Sequence, residues 1–212
     1  MSFFSTIQGY LRGSTSEVKA AMSAEGDQYI RKHIPDLASL VNGGKVWKVQ
    51  DLTTTAVAVT MPTTTAGLTL QNPTSSGKHY LVLAVTGIQD VSAAGLHSWG
   101  LCHCPHQAGI ALLTRDIGLT DVKGMKCGQG AYGGEAILDR GATVVNDLFS
   151  PIGGTYNSVI VSQVWSQLYA DLQVPVVIPP GQHYSVGGVA HIATVEVGLG
   201  LVWAELTEDE LN

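Results

Sequence analysis

Charge is what this chain has least of. Of its 212 residues only 13% are Asp, Glu, Lys or Arg, about half the share in an ordinary globular domain. A surface so poor in charge is either clothed in neutral polar side chains or partly buried against partners, and we read it the second way. The formal net charge is −6. That excludes a phosphate-neutralising surface, which needs clustered Lys and Arg; Arg31-Lys32-His33 is the one basic cluster and it is too small. No nucleic-acid partner is expected. Long apolar runs are missing as well. No stretch approaches the ~18 residues that span a bilayer, and Met1-Ser2-Phe3-Phe4 is not followed by a basic and then apolar leader. No membrane partner and no secretion signal are expected. Cysteine is scarce: Cys102, Cys104 and Cys127 are too few and too oddly spaced for a disulfide framework, which suits a reducing cytoplasm. Long stretches of helical period are absent too.

What is present is a period of two. Val46-Trp47-Lys48-Val49 and Thr55-Ala56-Val57-Ala58-Val59-Thr60 alternate, and Leu68-Thr69-Leu70 resumes the pattern after Met61-Pro62. Asn72-Pro73-Thr74-Ser75-Ser76-Gly77 is a turn signal. Tyr80-Leu81-Val82-Leu83-Ala84-Val85 is apolar throughout and reads as a strand buried on both faces or lying at a subunit contact. His97 to Cys102 and Ile110 to Leu113 read as strands. So do Ser158 to Trp165, Val174 to Ile178 and His183 to Ala190, the last with a weak point at Gly187-Gly188. Pro179-Pro180-Gly181-Gln182 is a turn, and Thr194 to Glu205 closes the domain, with Trp203 in its core. Residues 115–156 are rich in glycine with little periodicity, and a connection of that length is where contact or function often resides. Eight to ten short strands with Pro/Gly turns and no long helix predict an all-β fold, a β-sandwich or jelly roll.

Residues 1–50 differ. They hold much of the charge, and their β-compatible pieces (Ile7 to Leu11, Gln28 to Arg31) and a one-turn helix from Pro35 to Leu40 lack the apolar residues for a core. They are expected to form an extended N-terminal arm or extension, with residues 51–212 as the β-sandwich domain.

The densest set of possible ligands is His97-Ser98-Trp99-Gly100-Leu101-Cys102-His103-Cys104-Pro105-His106. Cys102 and Cys104 of a Cys-x-Cys strand point to one face, and with His106 they are the candidate zinc ligands. The Cys-x₂-Cys hook and a second pair are absent, so no metal or cofactor is expected and the cysteines read as small core residues. No Gly-x-Ser-x-Gly elbow marks a nucleophile. Gly124-Met125-Lys126-Cys127-Gly128-Gln129-Gly130 lacks the Gly-Lys-Ser/Thr ending of a phosphate loop. Asp116 and Asp121 lack the spacing of a calcium loop. The chain is therefore not expected to be an enzyme; the alternative of another class is a metal-binding β-sandwich enzyme using Cys102, Cys104 and His106.

Two passages carry a family resemblance. Leu68-Thr-Leu-Gln-Asn-Pro-Thr-Ser-Ser-Gly-Lys-His-Tyr-Leu-Val-Leu resembles the strand, Asn-Pro, Ser-Gly-Lys, apolar-strand segment of tailed-bacteriophage virion structural proteins. Val176-Val-Ile-Pro-Pro-Gly-Gln followed by Leu201-Val-Trp-Ala-Glu resembles their closing Pro-Gly turn and strand ending Trp-x-Glu. The resemblance spans residues 50–206. It implies a jelly-roll or β-sandwich virion component, a head decoration or cement protein assembled in the host cytoplasm. The implied partners are copies of itself, as a trimer, and the major capsid protein. A tail, adaptor or fibre component is the alternative. The His/Cys cluster is not part of the resemblance.

Overall fold

The computed structural model describes residues 21–22, 28–29, 37–53, 55–63, 66–91, 97–106, 113–142, 149–157, 167–192 and 195–211. Among these, thirteen strands, two short α-helices and one 3-10 turn (Leu119–Asp121) follow one another. In chain order the strands are β1 (Ala21–Met22), β2 (Gln28–Tyr29), β3 (Val46–Gln50), β4 (Thr55–Ala56), β5 (Leu68–Gln71), β6 (His79–Val91), β7 (His97–His106), β8 (Lys123–Gly124), β9 (Ile137–Arg140), β10 (Ser150–Asn157), β11 (Gln167–Ile178), β12 (His183–Ala190) and β13 (Glu196–Leu206). The helices are α1 (Leu37–Asn42) and α2 (Glu208–Leu211).

Two antiparallel sheets face each other. One runs β10-β7-β12-β5-β9 and the other β11-β6-β13-β3-β8, with β4 also on β13. The eight principal strands pair first with last (β3 with β13), second with seventh (β5 with β12), third with sixth (β6 with β11) and fourth with fifth (β7 with β10). That pairing is one long hairpin rolled up on itself, which makes the fold a jelly roll. The expected all-β class is what the chain adopts.

The core lies between the sheets because alternate residues of each strand point inward. Leu68 and Leu70 of β5, Trp99 and Leu101 of β7, Tyr184 and Val186 of β12 meet Val197, Leu199, Leu201 and Trp203 of β13, all buried. Tyr80 to Val85, expected to be buried on both faces or to lie at a subunit contact, is buried except at half-buried Leu83. Tyr80, Val82 and Val85 join the main core, while Leu81 turns outward with Leu206, Val46 and Leu40 of α1 into a second cluster. α1 thus roofs one end of the six-stranded sheet. β3 lies inside that sheet, between β13 and β8. The sandwich therefore takes in residues from Leu37 onward, and a division at residue 50 falls inside it. Ile7 to Leu11, Ile110 to Leu112 and Ser158 to Trp165 lie outside the described residues. The expected helix is present but runs Leu37–Asn42, with Pro35 and Asp36 outside the described residues.

One expectation changes. Gly187-Gly188 is not a weak point. A Cβ on Gly188 would lie 2.5 Å from a methyl of Val57 and 2.9 Å from one of Val197, so the glycine lets the β3–β5 connection seat against β12. Residues 115–156, expected to be a place of contact or function, contribute strands to both sheets. They lay β8 along the edge of β3 and β9 along the edge of β5, covering one flank of both sheets. Between them Tyr132 enters the core, edge-on to Trp47 at 4.8 Å and to Trp203 at 6.1 Å. The sequence shows no periodicity there because the segment is held by single anchors rather than by long ladders.

Candidate functional site

The His/Cys cluster was the first candidate for chemistry, and β7 splits it between faces. Trp99, Leu101 and His103 turn into the sandwich, where His103 Nδ1 lies 2.8 Å from the Tyr184 hydroxyl. Burial holds His103 below the ordinary histidine pKa and Tyr184 above the ordinary tyrosine value. Cys102 and Cys104 turn to the other face and pack with Ala66 and Phe149. The Cys102 thiol donates to the Gly187 carbonyl at 3.4 Å, and burial pushes its pKa up to about 12. Both cysteines are buried in this cluster. The His106 side chain lies outside the described residues; its backbone pairs with His183. No group of three or more His, Cys, Asp or Glu among the described residues is placed to hold a metal ion. A thiol reagent is expected to label one cysteine in the native protein, exposed Cys127, and three after denaturation. If adding a chelator released a second reactive thiol in the folded state, Cys102 or Cys104 would be a ligand after all.

The two weaker motifs are absorbed by structure. In the Gly124 to Gly130 segment, Gln129 Nε2 donates to the Gly44 carbonyl and Lys126 Nζ to the Asn42 carbonyl, both at 2.8 Å, tying the turn to the end of α1. Asp116 accepts the Arg140 backbone N–H at 3.2 Å, and the Arg140 guanidinium also pairs with Asp51. Arg140 Nη1 also donates to the Asp116 backbone carbonyl at 3.3 Å.

The residues that carry the family resemblance meet at one end of the jelly roll. Asn72 donates its side-chain N–H groups to the carbonyls of Lys78 and Ile178, each at 2.8 Å, and accepts from the Ser76 hydroxyl at 2.5 Å. One amide thus closes the β5–β6 turn and staples it to the end of β11. Lys78 Nζ reaches Glu205 at 2.8 Å. The buried Glu205 carboxylate also accepts from the Tyr132 hydroxyl and from Trp203 Nε1. Lys45 pairs with Glu210, and a cleft of about 320 Å³ opens between these groups and Gly133-Gly134. Every oxygen of both carboxylates has a partner within the chain.

The opposite flank is different in kind. Among the described residues β11 pairs only with β6. Its register breaks once: Asp171 lies opposite Ala84 and Val176 opposite Val82, so residues 172–175 bulge out across from Leu83 alone. Pro175 in that bulge has no N–H to offer a neighbouring strand, a common defence of an edge. The side chains there are nevertheless apolar: Val174 is 81% exposed, Tyr169 67% and Val177 39%. The apolar pattern of Val174 to Ile178 predicts an ordinary strand; the signal of an edge is Pro175, since proline within a strand pattern marks one.

No protein-family model matches the chain, and no curated protein and no solved structure matches it either.

Proposed function

We propose that this chain is a bacteriophage virion structural protein, a decoration or cement protein that stabilises the head shell through contacts between its own copies and with the major capsid protein. The observation that carries this reading is the asymmetry of the jelly roll. Among the described residues one flank ends on the short strands β8 and β9, while the other ends on a long, bulged edge strand bearing exposed Tyr169, Val174 and Val177. A bulge with proline blocks indiscriminate strand addition, and exposed aromatic and branched residues supply contact area for a chosen partner. The low charge and the two resembling passages point the same way. The action is mechanical: apolar area buried between neighbours stabilises the shell by roughly 25 cal/mol per Å² before association costs. Neither a nucleic acid nor a membrane is a partner in this reading, and the place of action is the virion.

Mixing the purified protein with shells that lack it is expected to give co-sedimentation and a raised melting temperature of the shell. Light scattering of the free protein is expected to give the mass of a small homo-oligomer, a trimer in the reading the resemblance implies. Particle stoichiometry decides the location: hundreds of copies place it on the head, whereas a handful would move it to the tail, an adaptor or a fibre. A protein that is monomeric at micromolar concentration and leaves shells unchanged would overturn the reading.

A further inference from the structure

The outer face of the six-stranded sheet carries a row that runs straight across five strands. Asp171 of β11 is in register with Ala84 of β6, Ala84 with Val202 of β13, Val202 with Lys48 of β3, and Lys48 with Lys123 of β8. Residues in register share a face. An exposed carboxylate therefore stands at one end of the row and two exposed ammonium groups at the other. Four interstrand steps of about 4.8 Å separate Asp171 from Lys123 by about 19 Å, too far for the two ends to pair within one chain.

The basic end is also unusual in itself. Like charges directly opposite on neighbouring strands are destabilising, yet Lys48 and Lys123 are such a pair. Lys123 bends back to the Thr120 carbonyl, and no hydrogen bond or ion pair of Lys48 is seen among the described residues. The apolar pattern follows the charges. Tyr169, two residues from Asp171, and Val174 and Val177 further along β11 are exposed, and so is Met125, two residues from Lys123.

We propose that the β11 flank of one copy docks on the β3–β8 flank of a second copy, so that Asp171 meets Lys48 and Lys123 and the row continues from chain to chain. The occupant is set by charge. A two-fold contact of β11 with β11 would bring two Asp171 side chains into one interface and would align two proline bulges, so neither charge nor strand pairing supports it. A contact between unlike flanks repeats in one rotational sense and closes into a ring when the rotation permits. This inference rests on the self-assembling reading above and specifies its geometry.

The test uses the full chain with Cys127→Ser, so that no exposed native thiol remains. Asp171→Cys and Lys123→Cys are made separately, and a short bis-maleimide is added to each alone and to their mixture. Head-to-tail docking gives the cross-linked pair only in the mixture; cross-linking of Asp171→Cys with itself would overturn it. Charge exchange is the second measurement. Asp171→Lys is expected to raise the concentration of half-assembly by about tenfold or more, and adding Lys48→Asp and Lys123→Asp to that variant is expected to restore it. All these side chains are exposed, and an unchanged melting temperature of dilute protein verifies the fold. If the native chain assembles and binds shells but Asp171→Lys assembles equally well, the flank assignment falls and the virion reading stands. A native chain that neither assembles nor binds shells removes both.

Discussion

Replacing Glu205 by alanine is expected to cost about 3 kcal/mol of folding stability, read as a drop in the urea midpoint. The carboxylate is buried, so removing it strands two buried donors, the Tyr132 hydroxyl and Trp203 Nε1. Each unpaired donor costs about 1–3 kcal/mol. Lys78 adds little to the loss because it is half exposed and can return to water. Lys78→Met should cost less than Glu205→Ala, because the remaining carboxylate keeps both buried donors paired. Burial and the Glu205 charge both raise the Tyr132 pKa, which keeps the phenol protonated as a donor far into the alkaline range. The stabilising contact should therefore persist there. If Glu205→Ala and Lys78→Met cost the same, the ion pair with Lys78 and not the two buried donors would be the working part.

The second large effect is expected at Gly198. A Cβ there would lie 2.7 Å from the backbone carbonyl of Asp51. That carbonyl cannot retreat easily. The Asp51 N–H is bonded to the Leu199 carbonyl at 2.8 Å, and its carboxylate is held by Arg140. Gly198→Ala should cost about 2–3 kcal/mol through overpacking, which for a fold of this size is about 5–10 °C of melting temperature. Gly77 provides the contrast. A Cβ there meets no atom within 4 Å, but its φ is +60°. Gly77→Ala should cost about 1 kcal/mol from backbone conformation alone. Equal losses at the two sites would mean that the β13 backbone yields more readily than its anchors imply.

Part of this molecule is legible in the chain because it depends on nearest neighbours. Alternation in Leu68-Thr69-Leu70 and from Glu196 to Glu205 sets which side chains face inward, since a strand's period is two whatever it pairs with. The turns at Asn72 to Gly77 and at Pro179 to Gln182 follow from residues that pre-set or permit particular φ values, Gly77 and Gly181 both being left-handed. Composition added the scarcity of charge and with it the expectation of partners. Cys102 and Cys104 behave as the small, buried side chains their spacing allowed.

The remainder needed strands brought together from far along the chain. Pairing first with last and fourth with fifth is set by long-range packing, which no local pattern encodes. The glycine-rich stretch around Tyr132 acquires its meaning only when β8 and β9 lie on strands some 70 residues earlier in the chain. The same holds for the proposed docking surface. Asp171, Lys48 and Lys123 are unremarked polar positions in the sequence, and only the register of five strands puts them in one row. The chain by itself determined an all-β, charge-poor molecule with inward and outward faces. Which flank is covered, which is open and how charge is divided between them was decided by tertiary structure, because those properties belong to the order of strands across a sheet and not to their order along the chain.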